Sequence, residues 1–123
     1  MDVQSISRVV ITLLTVAFVS GLVMAAIRFG SDRQSPPWLA KLHGFAAVAA
    51  LTLLTFGLVN LTASKAASVG LVALLVAAGT GVVLNLGYHW RQKPLPEGLV
   101  FAHMSIAFTG FLVIGVVLVS LPA

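Results

Sequence analysis

Long apolar stretches dominate the chain, and short segments with charges, prolines or polar residues separate them. The hydrocarbon core of a bilayer is about 30 Å thick and is crossed by a helix of roughly 20 apolar residues. Four windows of that length occur, at about 9–27, 38–59, 66–87 and 98–121. A barrel strand needs only about ten residues and alternates in polarity. The pattern therefore predicts an all-α bundle of four transmembrane helices, forming one domain over 1–123.

The two halves of the chain resemble each other at an offset of sixty positions. At that offset Ser20-Gly21 falls on Thr80-Gly81, Pro36 on Pro96, His43 on His103 and Ala47 on Ala107. A sequence rich in Ala, Val and Leu gives some matches by chance, but chance seldom aligns two of only three histidines. We therefore expect two tandem helical hairpins. Each contains two spans, so both point the same way and their symmetry axis runs along the membrane normal.

Composition narrows the functional classes. The chain is 59% hydrophobic and 8% charged, whereas a soluble domain carries about 25% charged residues. This excludes a soluble enzyme and a nucleic-acid-binding domain, and the absence of cysteine excludes a disulfide-stapled module. The net charge of +4 comes from basic residues near the span ends, so it concerns membrane topology.

The distribution of Lys and Arg predicts the orientation, because cytoplasmic loops carry an excess of these residues. The side with the first and third connections holds five of them: Arg28, Arg33, Lys41, Arg91 and Lys93. The opposite side holds only Arg8 and Lys65. We expect both termini on the non-cytoplasmic side, in a bacterial inner membrane.

Two histidines lie inside predicted spans, where a titratable side chain is costly and indicates function. His43 is about six residues into the second span and His103 about six into the fourth, which is roughly 8 to 10 Å deep at 1.5 Å per residue. These spans are parallel, so the imidazoles share one depth. If the two helices face each other across the bundle, the rings converge near its axis.

Small and hydroxyl-bearing residues are predicted at the same level. One turn after each histidine stands an alanine on the same helix face, and the neighbouring helices bring a hydroxyl residue and a glycine. These candidates are Ala47 and Ala107, Ser20 and Gly21, and Thr80 and Gly81. A glycine leaves room for a porphyrin edge, and a hydroxyl can accept a hydrogen bond from the ring nitrogen that is not on the metal.

We therefore expect one haem b with His43 and His103 as its metal ligands, near the cytoplasmic leaflet. Cations at the boundary would pair with its propionates, and Arg28, Lys41, Arg91 and Lys93 are the candidates. With both axial positions filled, electron transfer is favoured over oxygen chemistry. Such a haem lies too far from the opposite face to carry electrons across alone, so a quinone or a redox partner subunit would be needed.

Other interpretations remain open. A chlorophyll is one, although it usually takes one histidine per pigment. Histidines can also bridge helices by hydrogen bonds without any cofactor, and small residues are common in membrane helix packing. A zinc or non-haem iron centre is less favoured, because it would need three or four protein ligands and the spans contain neither cysteine nor a carboxylate. His89, between Tyr88 and Trp90, is expected at the interface, where proton transfer is a minor alternative.

Catalytic and transport functions fit the sequence poorly. Small multidrug transporters use a membrane-embedded Glu, but Asp2, Asp32 and Glu97 all lie at or outside the span boundaries. The serines form no recognisable catalytic constellation, and the connections are too short for a catalytic domain. A non-enzymatic accessory or anchoring subunit of a larger membrane complex is therefore the second hypothesis.

The arrangement resembles the four-helix b-type membrane cytochromes, in which histidines from different spans sandwich haem. The resemblance covers the four-span architecture and the segments Leu42-His43-Gly44 and Ala102-His103-Met104. It implies an electron-transfer subunit. Many members hold a second haem near the other surface, but the far ends of the second and fourth spans here carry no histidine.

Overall fold

The computed structural model describes residues 2–60 and 64–122. Four α-helices form in these residues: α1 (Val3–Ser31), α2 (Pro37–Asn60), α3 (Lys65–Leu84) and α4 (Glu97–Val119). A π-helical turn, Asn85–His89, continues α3. The described residues contain no strand, and each helix, α3 taken with its π-helical turn, is long and apolar enough to cross a membrane. The predicted all-α four-helix bundle is confirmed, and the chain is an integral membrane protein.

The helix starts follow ordinary capping chemistry. The Asp2 carboxylate accepts a hydrogen bond from the Ser5 backbone N–H at 2.7 Å, and this bond lowers the pKa of Asp2 below its usual value. Ser64 caps α3 in the same way through the Ala67 N–H. α2 begins with Pro37, whose missing N–H costs nothing in a first turn.

The helices do not stop where the apolar windows stop. α1 extends beyond the predicted 9–27 at both ends, from Val3 to Ser31, while α4 ends at Val119, two residues short of the predicted 121. Charged residues such as Arg8 end an apolar window, but they do not end a helix, because their side chains reach the headgroup region while the backbone ladder continues. Helix ends are therefore set by caps and prolines.

The helices are arranged so that each hairpin is the tightest unit. α1 packs most extensively against α2, and α3 against α4. The two hairpins meet through smaller contacts of α2 with α3 and of α1 with α4. This order places α2 and α4 on one diagonal of the bundle, across its centre. We call the end with the 32–36 and 90–96 connections the loop end, and the opposite end the terminal end.

The sixty-residue offset is visible in the backbone. α2 begins at residue 37 and α4 at residue 97. Asp32 and Gln92, also sixty apart, are the two described non-glycine residues with positive φ, at 55° and 56°. Each reverses the chain after the first helix of its hairpin, since the left-handed conformation ends a helix.

The same offset relates the buried packing positions of the two hairpins. Four buried positions in the first hairpin correspond to four in the second: Val10, Leu14, Ala50 and Leu54 to Gly70, Leu74, Gly110 and Ile114. Most of these side chains belong to one apolar cluster toward the terminal end. A smaller cluster of Leu84, Leu95 and Val100 lies at the loop end. The histidine level lies between the two clusters.

Close approach of α3 and α4 depends on glycines at two positions, Gly70 and Gly110. A Cβ on Gly110 would lie 2.8 Å from Leu74 Cγ and 3.2 Å from the Gly70 carbonyl oxygen. We expect Gly110→Ala to lower the free energy of unfolding by about 1–3 kcal/mol, because an added methyl group overpacks this contact. Thermal unfolding in detergent micelles measures the effect.

Gly115→Ala on the same helix is the matched control, since nothing lies within 4 Å of a Cβ there. It should leave stability unchanged or raise it by up to about 1 kcal/mol through helix propensity. Equal stability of the two variants would contradict the close packing of α3 on α4.

Candidate functional site

The two intramembrane histidines meet at the centre of the bundle. His43 is the seventh residue of α2 and His103 the seventh of α4, and these helices face each other along the diagonal. The ring centroids are 6.1 Å apart and the ring planes make an angle of 73°. Both residues are half-buried. Equal positions in parallel helices thus place the two imidazoles side by side.

Each imidazole is held by the first helix of its own hairpin. His43 Nδ1 lies 2.7 Å from the Ala17 carbonyl oxygen, and His103 Nδ1 lies 2.8 Å from the Ala77 carbonyl oxygen. A carbonyl oxygen only accepts hydrogen bonds, so Nδ1 carries the proton in both rings. In the neutral imidazole the lone pair is then on Nε2, and among the described residues neither Nε2 has a hydrogen-bond partner.

Gly21 and Gly81 give the rings their space on the neighbouring helices. A Cβ on Gly21 would lie 2.9 Å from His43 Cε1, and a Cβ on Gly81 would lie 3.1 Å from His103 Cε1. The glycines are needed for the close approach of the imidazoles to α1 and α3. In this structure the space beside each glycine is therefore filled by a histidine ring, whereas the sequence reasoning assigned it to a porphyrin edge.

The two hydroxyl candidates differ from each other. Ser20 Oγ donates to backbone carbonyl oxygens of its own helix, at Val16 and Ala17, and makes no hydrogen bond with His43. The prediction that Ser20 accepts a hydrogen bond from the His43 ring was wrong, because the serine hydroxyl bonds to carbonyl oxygens of the preceding helical turn. Thr80 Oγ1 also donates to a helix carbonyl oxygen, but it lies 3.1 Å from His103 Nδ1 as well.

The acceptors that sequence reasoning missed are the carbonyl oxygens of Ala17 and Ala77. A backbone carbonyl has no signature in the sequence, and both residues were hidden among many alanines. One signal was available: the two alanines are sixty residues apart, and each precedes its histidine by 26 residues. Both are buried, with exposures of 7% and 3%.

The remaining small candidates lie beside the rings on α2 and α4. Ala47 and Ala107, four residues after each histidine, are half-buried. One turn further, Ala50 and Gly110 are fully buried. Small side chains thus follow both histidines along the inner faces of these helices.

The basic candidates are placed differently from one another. Arg28 is engaged at the loop end: its Nε donates to the Leu95 carbonyl oxygen at 3.0 Å, and its guanidinium pairs with Asp32 and Glu97. Lys41, Arg91 and Lys93 are exposed at the same end. Arg28 therefore has structural partners, whereas the other three face the surroundings.

His89 is buried, with an exposure of 8%. It ends the π-helical turn, and its Nε2 lies 2.8 Å from the Ser35 carbonyl oxygen. The interfacial level expected for His89 stays a prediction, and the structure adds that its side chain is turned inward, because the π-helical turn directs it toward the connection of the other hairpin. The prediction of a membrane-interface position was based on the flanking Tyr88 and Trp90, and Trp90 is 75% exposed.

Within residues 2–60 and 64–122, no three His, Cys, Asp or Glu side chains form a group that could hold a metal ion. The histidine pair alone thus offers two nitrogen ligands, which suits a metal whose other ligands come from a cofactor. Comparison with known protein families, curated proteins and solved structures finds no match to this chain.

Proposed function

We propose that this chain is a b-type-cytochrome-like electron-transfer subunit that binds one haem b between His43 and His103. The observation that carries the proposal is the pair of imidazoles from diagonal helices, with centroids 6.1 Å apart. An imidazole nitrogen lies about 2 Å from a bound metal, so two imidazoles on opposite sides of one metal have ring centres about 6 Å apart. The spacing of the ring centres therefore matches that of two imidazoles that would hold one metal between them.

The hydrogen bonds of the rings also support this function. Ligating histidines almost always donate their other N–H to a carbonyl, carboxylate or water, which fixes the tautomer and the ring orientation. His43 and His103 both do so through Nδ1. Their Nε2 lone pairs are left for a metal.

The chain's own residues then perform three tasks. His43 and His103 would hold the haem iron through their Nε2 atoms, and with both ligands in place electron transfer would be favoured over oxygen chemistry. The carbonyl oxygens of Ala17 and Ala77 orient the rings, and the surrounding apolar helices keep water from them. Haem bound there supplies a one-electron redox couple. The cations Lys41, Arg91 and Lys93, exposed at the loop end, are available to carboxylates at the membrane surface.

Electron transfer needs a donor and an acceptor outside this chain. The connections at the loop end, 32–36 and 90–96, are too short to form a domain. We propose a quinone or a membrane redox subunit as the partner. The excess of basic residues at the loop end favours a cytoplasmic location for it, with both termini on the periplasmic side of a bacterial inner membrane.

A second candidate function is supported by the same hydrogen bonds. Each histidine already joins the two helices of its hairpin through a backbone carbonyl, and that is a sufficient structural role. The chain would then be a cofactor-free accessory subunit of a larger membrane complex. A chlorophyll-binding subunit is a further variant of the tetrapyrrole proposal.

The absorbance spectrum of the purified protein separates these functions. Protein from cells supplied with haem should show a Soret band and, after reduction, a sharp α-band. Chlorophyll would give a red absorption band. A colourless and correctly folded preparation would reject the haem proposal in favour of the accessory subunit.

A further inference from the structure

Hydrogen bonds join the two hairpins at the loop end in a repeated pattern. Arg28 of α1 donates through Nε to the Leu95 carbonyl oxygen at 3.0 Å. His89, at the end of the π-helical turn, donates through Nε2 to the Ser35 carbonyl oxygen at 2.8 Å. Ser35 and Leu95 are sixty residues apart and are buried, with exposures of 3% and 9%. Each hairpin thus extends one basic side chain to the same carbonyl position in the connection of the other.

The two donors, Arg28 and His89, are sixty-one residues apart and so depart by one position from the sixty-residue offset. The counterpart of Arg28 at this offset is Tyr88 rather than His89. A π-helical turn contains one more residue than an α-helical turn, and here the Trp90 N–H donates to the Asn85 carbonyl oxygen, five residues back, at 2.7 Å. The extra residue moves His89 into the position that Arg28 holds in the first hairpin.

A tight turn restores the offset immediately afterwards. The Gln92 N–H donates to the His89 carbonyl oxygen only three residues back, at 3.2 Å. In the first hairpin the Asp32 N–H bonds to the Arg28 carbonyl oxygen four residues back. The wide turn shifts the second hairpin by one residue relative to the first, and the tight turn removes this shift, so that Asp32 and Gln92 are again equivalent.

The spacing of the two intramembrane imidazoles depends on how the hairpins are joined. His43 is bonded to α1 and His103 to α3, so each ring belongs to its own hairpin. Relative movement of the hairpins therefore changes the distance between the rings. Among the described residues, contacts that oppose such movement include a further hydrogen bond from Gln34 Nε2 to the Lys93 carbonyl oxygen and stacking of Phe18 on Phe111.

We infer that Arg28 and His89 are matched positioning residues that join the two hairpins and fix the spacing of His43 and His103. The π-helical turn serves to bring His89 to this task. An effect of Arg28 and His89 on cofactor binding rests on the proposed function, because only a metal shared by both imidazoles requires a fixed spacing. Their role in joining the hairpins is independent of any cofactor.

The test uses two substitutions of His89. His89→Phe removes the donor and introduces the residue type found sixty positions earlier in the sequence, Phe29. His89→Arg retains a donor of the kind that Arg28 provides. The chain has no cysteine, so one spin label can be attached to each of two introduced cysteines, Trp38→Cys and Gly98→Cys. These are exposed, equivalent positions, and each lies five residues before a histidine.

Distances between spin labels at these positions in nanodiscs report the separation of α2 and α4 without any cofactor. We expect one narrow distance distribution in the otherwise unchanged chain, a broadened distribution for His89→Phe, and recovery of the narrow one for His89→Arg. An unchanged distribution for His89→Phe, or no recovery with His89→Arg, would overturn the inference. If His89→Phe does not fold, Arg28→Met tests the other member of the pair with the same expected broadening.

Haem titration of the same variants distinguishes this inference from the proposed function. His89→Phe should bind haem about tenfold more weakly, as expected for loss of one buried hydrogen bond, and His89→Arg should bind it normally. Broadened distances in a chain that binds no haem would reject only the proposed function. Normal haem affinity together with normal distances in His89→Phe would reject only the positioning role.

Discussion

Replacing either His43 or His103 with alanine is expected to abolish the Soret band of the purified protein. One imidazole cannot hold the iron from both sides, and among the described residues no third His, Cys, Asp or Glu side chain forms a metal-binding group with the pair. The two variants should lose haem to the same extent, because the rings share their two closest supports, a backbone carbonyl on Nδ1 and a glycine beside Cε1. Absorbance of protein purified from haem-supplied cells measures both losses.

Matched controls exist two residues after each histidine. Phe45 and Ser105 are exposed and equivalent at the sixty-residue offset, so Phe45→Ala and Ser105→Ala should retain the full spectrum. Clearly unequal haem loss in the two histidine variants would show that the two halves of the site are not equivalent. Full retention of haem in either one would place the axial ligands elsewhere.

The second large effect is expected at the glycines beside the rings. A methyl group on Gly21 would lie 2.9 Å from His43 Cε1, closer than Cβ atoms come to other atoms, and the ring cannot retreat without losing its hydrogen bond to Ala17. Displacing such an orienting hydrogen bond typically costs 10- to 100-fold in metal affinity. We therefore expect Gly21→Ala to weaken haem binding by about 10- to 100-fold, as measured by haem titration of the apoprotein.

Gly81→Ala is expected to weaken haem binding less than Gly21→Ala does. Its methyl group would lie 3.1 Å from His103 Cε1, so a smaller ring movement suffices and the loss of affinity should be milder. Gly79→Ala is the control on the same helix, since nothing lies within 4 Å of a Cβ there. Normal haem affinity in Gly21→Ala would contradict the close contact between α1 and the His43 ring.

The sequence predicts the architecture well because lipid leaves few choices. Long apolar windows must be helices, since backbone groups in the hydrocarbon core have to be satisfied within the segment. The offset of sixty residues then places His43 and His103 at equal depth. The predicted facing of their helices agrees with the diagonal arrangement of α2 and α4.

The details of the site depend on backbone geometry that side-chain patterns do not encode. The Ala17 and Ala77 carbonyl oxygens accept the ring protons, and no residue type marks an accepting carbonyl. The Ser20 hydroxyl was assigned to His43 by level alone, but a serine within a helix prefers the carbonyl of the preceding turn. Level and spacing therefore predict which residues are near, but not which atoms bond.

The position of His89 shows the same limit at the loop end. Tyr88, His89 and Trp90 together have the composition of a membrane interface, and one of the three is nevertheless buried. The π-helical turn that rotates His89 inward depends on hydrogen bonds across five residues. An α-helical periodicity cannot indicate it, because the turn itself departs from that periodicity.

We propose that one haem iron is bound between the imidazoles of His43 and His103. Low-temperature electron paramagnetic resonance of the oxidised, haem-loaded protein tests it most directly, because two axial imidazoles give low-spin ferric haem. We predict a low-spin signal that accounts for one haem per chain and is absent from His43→Ala and His103→Ala. A predominantly high-spin signal, or a low-spin signal that survives in both variants, would contradict the proposed site.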